Sequence, residues 1–276
     1  MKIIWRGIEE KFPDMPKPSQ EEWEKICLVG QGNSHAPHGL ILYGLVRFLR
    51  PRRILEVGTA RGFSALVMAA ALRDSGLSDG KIITVDVIPH DKAWVWHNPR
   101  RHSKLDPASA GPISRRNLLK DFDYLIDGRI EFICGRSHEV LSRIEDCTMD
   151  FVFIDGDHRY AQVLDDWKHV SRIIAPRASV AFDDYDIGQC KRETFMSMAS
   201  RSIRMLPGIR KLSSRIPILR PICRDATGMA VTFLMYGVRL VVDSIYNQGG
   251  WCLELFPYSG TLSVALLEPK LEKEAS

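Results

Sequence analysis

Short apolar segments that alternate with helical segments restrict the fold of this chain more than any other feature. Five of these segments are predicted to be strands, at residues 54–57, 81–86, 129–134, 150–155 and 178–183. The fourth contains Phe-Val-Phe-Ile without a polar interruption, as expected when both faces of a strand are covered. Strands that alternate with helices predict a parallel sheet with helices on both faces.

The end of the chain follows a different pattern. Helices are predicted at residues 38–49, 62–72, 160–174 and 238–247. The segments 251–256 and 261–267 then flank Pro257-Tyr258-Ser259-Gly260, which predicts a β-hairpin. The predicted fold class is therefore α/β, with a doubly wound, mostly parallel, Rossmann-like sheet of seven strands that ends in an antiparallel C-terminal hairpin.

The expected organisation is one α/β domain preceded by helices. Residues 1–50 are predicted to be an N-terminal helical lead-in, where Ser19 before Glu21 and Glu22 is a helix-capping signal. Residues 51–276 form the main domain, with insertions at 89–112 and 186–236. Both insertions follow carboxyl ends of strands, where open α/β sheets bind ligands.

Composition favours a cytoplasmic protein. The six cysteines are scattered without a CxxC pair, which fits a reducing compartment. The N-terminus lacks the pattern of a signal peptide, and the apolar stretch 229–242 is shorter than the roughly 20 residues of a membrane span. The net charge of +4 is small and no nucleic-acid-binding module is recognisable, so no nucleic-acid partner is expected.

The second insertion is basic. Residues 186–236 contain nine Lys or Arg and three Asp or Glu, and 197–224 have an amphipathic basic pattern. This is consistent with a solvated surface, with a face for an acidic substrate, or with weak contact to a membrane surface.

The turn after the first strand reads Glu56-Val57-Gly58-Thr59-Ala60-Arg61-Gly62. It lacks the G-x-G-x-x-G of dinucleotide-binding folds, which weakens a phosphate-binding interpretation. Asp86 ends the second strand, where its carboxylate can accept two hydrogen bonds from a ribose diol. An ordinary strand–turn–helix with a surface aspartate is the structural alternative.

The E-x-G-x-x-x-G pattern, followed by an acid that ends the second strand, resembles motifs I and II of class I S-adenosylmethionine (SAM) dependent methyltransferases. The resemblance implies that Asp86 binds the ribose, that Glu56 receives the ammonium group of SAM, and that Ser64 lies near its carboxylate. It also implies that the turn after the third strand covers the adenine, although Ser137 there could simply cap a helix. The implied cofactor-binding residues are Glu56, Gly58, Thr59, Ala60, Ser64, Asp86, Val87, Gly135, Arg136, Ser137 and Asp155.

Three carboxylates end the fourth and fifth strands. Asp155 follows one, and Asp183 and Asp184 follow the other, so a parallel sheet brings them to one edge. Like charges repel, and a divalent cation relieves this repulsion. The predicted metal ligands are Asp155, Asp183 and Asp184, with Mg²⁺ as the expected ion. The alternative is a set of helix caps and loop acids without a metal.

Residues 53–185 also resemble the metal-dependent small-molecule O-methyltransferases that include the catechol and caffeoyl-CoA enzymes. The segment Ile-Asp-Gly-Asp-His-x-Tyr at 154–160 is most similar to the branch that acts on sugars and antibiotic intermediates. The resemblance puts His158 where the catechol branch has a lysine, and implies that it is the catalytic base. Imidazole changes charge near neutral pH, which suits that role. The catechol branch has Asp-Asn where this chain has Asp183-Asp184.

The resulting hypothesis is a SAM-dependent methyltransferase that methylates a hydroxyl of a sugar or phenolic small molecule with help from a metal. The alternatives are a metal-independent methyltransferase with another acceptor, and a non-catalytic SAM-binding or membrane-associated partner protein. A homo-oligomer is consistent with the resemblance. On the helix after His158, Asp165 and Asp166 are predicted to face solvent and Trp167 to pack.

Overall fold

The computed structural model describes residues 19–30, 36–96, 108, 111–186, 237–259 and 262–270 of the 276-residue chain. Most of the insertion 186–236, including the amphipathic basic segment 197–224, lies outside the described residues. So do residues 1–18 and 97–107.

The described elements alternate as the sequence pattern predicts. The strands are β1 (Arg53–Val57), β2 (Lys81–Asp86), β3 (Ile130–Cys134), β4 (Met149–Ile154), β5 (Ile174–Asp186), β6 (Trp251–Ser259) and β7 (Leu262–Pro269). The helices are α1 (Gln20–Val29), α2 (Ala36–Leu49), α3 (Phe63–Asp74), α4 (Arg115–Leu119), α5 (Asp123–Ile126), α6 (Ser137–Leu141), α7 (Tyr160–Ile173) and α8 (Gly237–Asn247). The predicted cap is present, since the Ser19 hydroxyl accepts a hydrogen bond from the Glu22 amide at 3.3 Å.

The strands form one seven-stranded sheet in the order β3-β2-β1-β4-β5-β7-β6. The strands from β1 to β5 are parallel, and β7 pairs antiparallel with both β5 and β6. The predicted fold class is confirmed. The strand order reverses between β1 and β4, and this point of an open α/β sheet is where ligands bind.

The bounds of β5 and of the C-terminal hairpin were predicted wrongly, since β6 continues through most of the predicted turn to Ser259. β5 begins at Ile174, before Pro176, and continues past Asp183 to Asp186. Its pairing with β7 is irregular between Phe182 and Tyr185, which is a β-bulge. Asp183 and Asp184 therefore lie within the strand, in its bulge, and not beyond its end.

Two apolar layers cover the sheet. On one face, α1, α2 and α3 bury Trp23, Leu42 and Leu66 against strand residues such as Phe151. On the other face, α7 and α8 bury Val170 and Val242 against other strand residues. The two N-terminal helices thus belong to the same core as the sheet. Among the described helices, none is long and apolar enough to cross a bilayer.

A polar cluster attaches α1 to α3. Arg73 donates two hydrogen bonds to the Glu22 carboxylate, at 2.6 and 2.7 Å, and pairs with Asp74. Asp74 also accepts a hydrogen bond from the Tyr43 hydroxyl at 2.7 Å, which extends the cluster to α2. These part-buried contacts keep the N-terminal helices against the helix that follows the β1 turn.

Candidate functional site

The register of the sheet places the chemically active residues side by side. Val57 of β1 pairs with Val85 of β2 and with Ile154 of β4, and Ile154 pairs with Phe182 of β5. The next residue of each strand is then, in order across the sheet, Asp86, Gly58, Asp155 and Asp183. Residues far apart in sequence are adjacent at the carboxyl edge of the sheet.

The turn after β1 requires glycine at its first position. Gly58 has a φ of +102°, and its amide donates to the Val85 carbonyl at 3.0 Å. A Cβ atom at Gly58 would lie 2.1 Å from the Asp155 carbonyl oxygen. Neither the backbone conformation nor this spacing tolerates a side chain. The turn and the end of β4 therefore pack directly, backbone against backbone.

Asp86 holds this turn in place. Its carboxylate accepts hydrogen bonds from the Ala60 amide at 2.6 Å and from the Ile88 amide at 2.8 Å. Ala60 itself has a positive φ of 43°. An ionised carboxylate has about four acceptor positions, so Asp86 retains capacity to accept further hydrogen bonds.

Arg115, which the sequence analysis did not single out, connects the turn to Asp86. Its side chain is 2% exposed, donates from Nε to the Ala60 carbonyl at 2.7 Å, and lies 3.1 Å from the Asp86 carboxylate. The guanidinium also lies over the rings of Trp96 and Phe132. Burial lowers the pKa of Arg115, and the neighbouring charge of Asp86 opposes that shift. A buried arginine has no distinctive sequence pattern; the only local signal is the helix cap Ser114 before it.

A cavity of about 540 Å³ opens beside Gly58 and Asp86. Most of the predicted cofactor-binding residues line it, namely Gly58, Ala60, Asp86, Val87, Gly135, Arg136, Ser137 and Asp155. The remaining lining residues are Val57, Val85, His138, Gly156, Asp157, Arg159, Gln162 and Asp166. Its size is within the range of small-molecule and cofactor sites.

Three predicted cofactor-binding residues are not part of the cavity lining. Glu56, Thr59 and Ser64 are all buried behind the turn. The Thr84 hydroxyl donates to the Glu56 carboxylate, and the hydroxyls of Thr59 and Thr84 lie 2.6 Å apart. In this structure Glu56 supports the turn from behind.

The buried position of Glu56 gives a testable pH dependence. Burial raises its pKa from 4.5 to about 7, against hydrogen bonds from Ser64 and Thr84 that favour the ionised form. The folded state therefore retains a proton that the unfolded chain releases, and the free energy of unfolding falls as the pH rises from about 4.5 to about 7. The free energy of unfolding of Glu56→Gln, relative to that of wild type, should therefore rise by about 3 kcal/mol between pH 4.5 and pH 8.

Urea unfolding of both proteins at the two pH values measures this difference. Glu131→Gln, at an exposed position on β3, is the matched control and should show no such change. A Glu56→Gln effect that is the same at both pH values would contradict a buried, proton-retaining Glu56.

Hydrogen-bonded polar side chains on α6 and α7 show that two sequence predictions were wrong. Asp166 is 1% exposed and lines the cavity, so its prediction as a solvent-facing residue was wrong. Gln162 donates to the Asp166 carboxylate at 3.0 Å and to the Ser137 hydroxyl at 3.1 Å. Ser137 is the first residue of α6, and the N-cap residue is Arg136, which makes no side-chain capping bond. The alternative that Ser137 caps this helix was therefore also wrong. Burial raises the pKa of Asp166.

The three predicted metal-binding carboxylates converge beside the cavity. Asp183 is 6% exposed, and its Oδ1 has no hydrogen-bond partner among the described residues. Burial, and then the charges of Asp183 and Asp184, raise the pKa of Asp155 well above its usual value. Asp184 has a φ of +55° in the β5 bulge, a conformation that aspartate tolerates better than most residues. The bulge directs neighbouring carboxylates to different places.

His158 lies among these acids. Its Nε2 is 3.6 Å from the Asp184 carboxylate and 3.8 Å from that of Asp155. The His158 side chain is 36% exposed, so a ligand can reach it. Asp157, which precedes His158, instead accepts hydrogen bonds from the amide and side chain of Arg159.

His38 was not predicted as a site residue. It lies in the first turn of α2 and is 5% exposed. One of its ring nitrogens, one Asp155 oxygen and one Asp183 oxygen lie within 4.8 Å of one another. No local pattern indicates this contact, because His38 is more than a hundred residues from either acid.

Comparison with known proteins shows which proteins this part of the chain resembles. Residues 55–185 match the family model described as a methyltransferase domain. This match includes β2 to β4, most of β1 and β5, the turn with Gly58, and all three acids. This part of the chain is thus similar to a methyltransferase domain. The matched methyltransferase domain contains every predicted cofactor- and metal-binding residue, whereas His38 precedes it.

Curated relatives match the same region. A protein of Mycolicibacterium smegmatis with the provisional name O-methyltransferase is 33% identical over 134 residues, which is 49% of this chain and 52% of that protein. A similarly named protein of Mycobacterium sp. strain JLS is 31% identical over 134 residues, which is 49% of this chain and 50% of that protein. The chain thus spans about half the length of the curated relatives it matches.

Solved structures share the fold over nearly the whole chain. The O-methyltransferase TomG of Streptomyces achromogenes, determined with SAM, is 17% identical with a TM-score of 0.51, covering 96% of each chain. An O-methyltransferase of Bacillus cereus in complex with SAH (S-adenosylhomocysteine, the demethylated product of SAM) is also 17% identical. The TM-score is 0.52, and the match covers 97% of this chain and 100% of the Bacillus cereus chain. At this identity, the similarity establishes the fold.

Proposed function

We propose that this protein transfers the methyl group of SAM to a hydroxyl of a small-molecule acceptor, with a divalent cation bound beside the transfer site. The observation that carries the proposal is the position of Asp155. It lines the cavity that contains Asp86 and also belongs to the cluster with Asp183 and His158. A single residue thus connects a cofactor pocket to a proton-accepting and cation-binding group.

The cavity suits SAM by its chemistry. Asp86 has acceptor capacity for a ribose diol, and Gly58 lets a ligand approach the backbone closely. Relatives named as O-methyltransferases, and structural neighbours determined with SAM or SAH, support the choice of cofactor. When bound, SAM supplies an electrophilic methyl group on a sulfonium.

The acid cluster suits a divalent cation. The buried Asp183 Oδ1 has no donor among the described residues, and Asp155 carries a second carboxylate next to it. Leaving a buried charged oxygen without a partner is costly, and a cation removes that cost. A bound cation would supply orientation of the acceptor oxygen and a lower pKa of its hydroxyl.

His158 would act as the general base. Its imidazole takes the proton of the acceptor hydroxyl as that oxygen forms a bond to the methyl carbon and the carbon–sulfur bond breaks. The products are the methyl ether, SAH and a protonated His158. The carboxylates of Asp184 and Asp155, at 3.6 and 3.8 Å, stabilise the resulting imidazolium.

The acceptor that this site favours is a small hydroxylated molecule, of the sugar or phenol class. The exposed fraction of His158 leaves room for a ligand beside it. The residues that would select among acceptors are expected in the insertions 89–112 and 186–236. Most residues of both insertions lie outside the described part of the chain.

A His158→Ala variant tests the proposed chemistry. We expect methyl transfer to fall by about 10² to 10⁴-fold, since a general base contributes that much. SAM affinity should stay unchanged, because His158 does not line the cavity. The measurement is SAH release in a screen of hydroxylated sugars and phenols with added metal, together with calorimetry of SAM binding. A variant with full turnover would exclude His158 as the base, and methylation of amines but not hydroxyls would contradict the acceptor class.

A further inference from the structure

His38 is buried beside two aromatic rings at the carboxyl edge of the sheet. Its ring lies 5.6 Å from that of Phe63, nearly perpendicular to it, and 6.2 Å from that of Phe153, at 28°. Phe153 is two residues before Asp155 at the end of β4. The histidine thus reaches the acid cluster from a helix outside the matched segment 55–185, and two aromatic rings pack against it.

The three potential ligands lie near the spacing of a metal site. Ligand atoms of His38, Asp155 and Asp183 lie within 4.8 Å of one another. Octahedral bonds of about 2.1 Å separate neighbouring ligands by about 3.0 Å and opposite ligands by about 4.2 Å. Small side-chain rotations would therefore bring all three to one ion.

The burial of His38 and Asp183 also indicates that they belong to the ligand set. His38 is 5% exposed and Asp183 is 6% exposed, and the Asp183 Oδ1 lacks a donor among the described residues. Asp184 differs, because its side chain is 40% exposed and its carboxylate lies beside His158. The two acids of the β5 bulge therefore differ in their surroundings, with Asp183 facing the cluster and Asp184 facing His158.

We infer that His38, Asp155 and Asp183 are the protein ligands of the cation, whereas Asp184 positions His158. This inference rests on the proposed function and changes the expected metal. A nitrogen ligand disfavours Mg²⁺, which prefers oxygen, and favours first-row transition ions such as Mn²⁺, Fe²⁺ or Co²⁺. The site is thus selective for an ion that accepts imidazole.

The test compares Co²⁺ and Mg²⁺ binding by calorimetry in wild type, His38→Gln and Asp184→Asn, without SAM. Wild type should bind Co²⁺ at least about 100-fold more tightly than Mg²⁺, and His38→Gln should reduce this ratio at least about tenfold. Asp184→Asn removes a nearby charge, which weakens both ions alike and preserves the ratio. A ratio unchanged by His38→Gln, or no Co²⁺ binding by wild type, would overturn the inference.

A second readout does not require a variant of any proposed ligand. Pulsed electron paramagnetic resonance of wild type with bound Mn²⁺ should detect coupling to one imidazole nitrogen, which persists in His158→Ala. Coupling that is absent, or that disappears in His158→Ala, would assign the ligand elsewhere. Methyl transfer that persists after metal removal would refute the role of the cation in both proposals, whereas SAM-dependent methyl transfer itself would stand.

Discussion

Replacing Gly58 with alanine is expected to abolish SAM binding and to destabilise the protein by roughly 3 kcal/mol or more. A Cβ atom would meet the Asp155 carbonyl oxygen at 2.1 Å and the Gly156 amide nitrogen at 2.8 Å, and neither backbone group can rotate away. The φ of +102° adds strain for any residue with a side chain. Relief of the clash must move the end of β4, and Asp155 moves with it.

Gly76→Ala is the matched control for this variant. Gly76 also has a positive φ, of 70°, but a Cβ there would contact nothing within 4 Å. It should cost only about 1 kcal/mol, the cost of the left-handed conformation. Thermal unfolding and calorimetry measure the stability and the SAM affinity of both variants. Equal effects of the two substitutions would show that the contact between the β1 turn and β4 is unimportant.

Asp86→Ala is expected to weaken SAM binding by about 3 kcal/mol, roughly a hundred-fold in Kd, since hydrogen bonds to charged groups contribute about 1.5 to 3 kcal/mol each. Asp86 also anchors the turn through Ala60 and pairs with Arg115, so part of the loss could come from the turn. Asp79→Ala, an exposed position with its own partner Arg52, should leave the Kd unchanged.

A ligand lacking the ribose hydroxyls separates the two contributions. Calorimetry with SAH and with its 2′,3′-dideoxy analogue should show a large difference in affinity for wild type and almost none for Asp86→Ala. A variant that still distinguishes the two ligands as well as wild type does would refute ribose recognition by Asp86.

Much of the fold could be predicted because its signals are local. Uninterrupted apolar segments such as Phe151–Ile154 indicate buried parallel strands, and helical periodicity continues between them. The β5 boundary was missed because proline is uncommon inside strands, and Pro176 lies within the observed strand. The bulge at Asp183 and Asp184 depends on pairing with β7, about eighty residues later, which no local pattern encodes.

The cofactor pocket was predictable to the extent that its residues follow strand ends. Gly58, Asp86 and Asp155 are adjacent because parallel strands place their carboxyl ends at one edge. Arg115, Asp166 and His38 were missed or misassigned because each is a polar residue on a helix, and a helical pattern alone cannot distinguish a buried polar side chain from a solvated one. Their partners come from distant elements of the chain.

The most direct test of the account is a crystal structure of the protein grown with SAH and Mn²⁺, with diffraction data collected at the manganese absorption edge. The account predicts SAH in the cavity with its ribose hydroxyls on the Asp86 carboxylate, and an anomalous peak between His38, Asp155 and Asp183. SAH bound elsewhere, or Asp86 without a contact to the ribose, would contradict the cofactor assignment. An anomalous peak absent from the acid cluster would contradict the metal assignment.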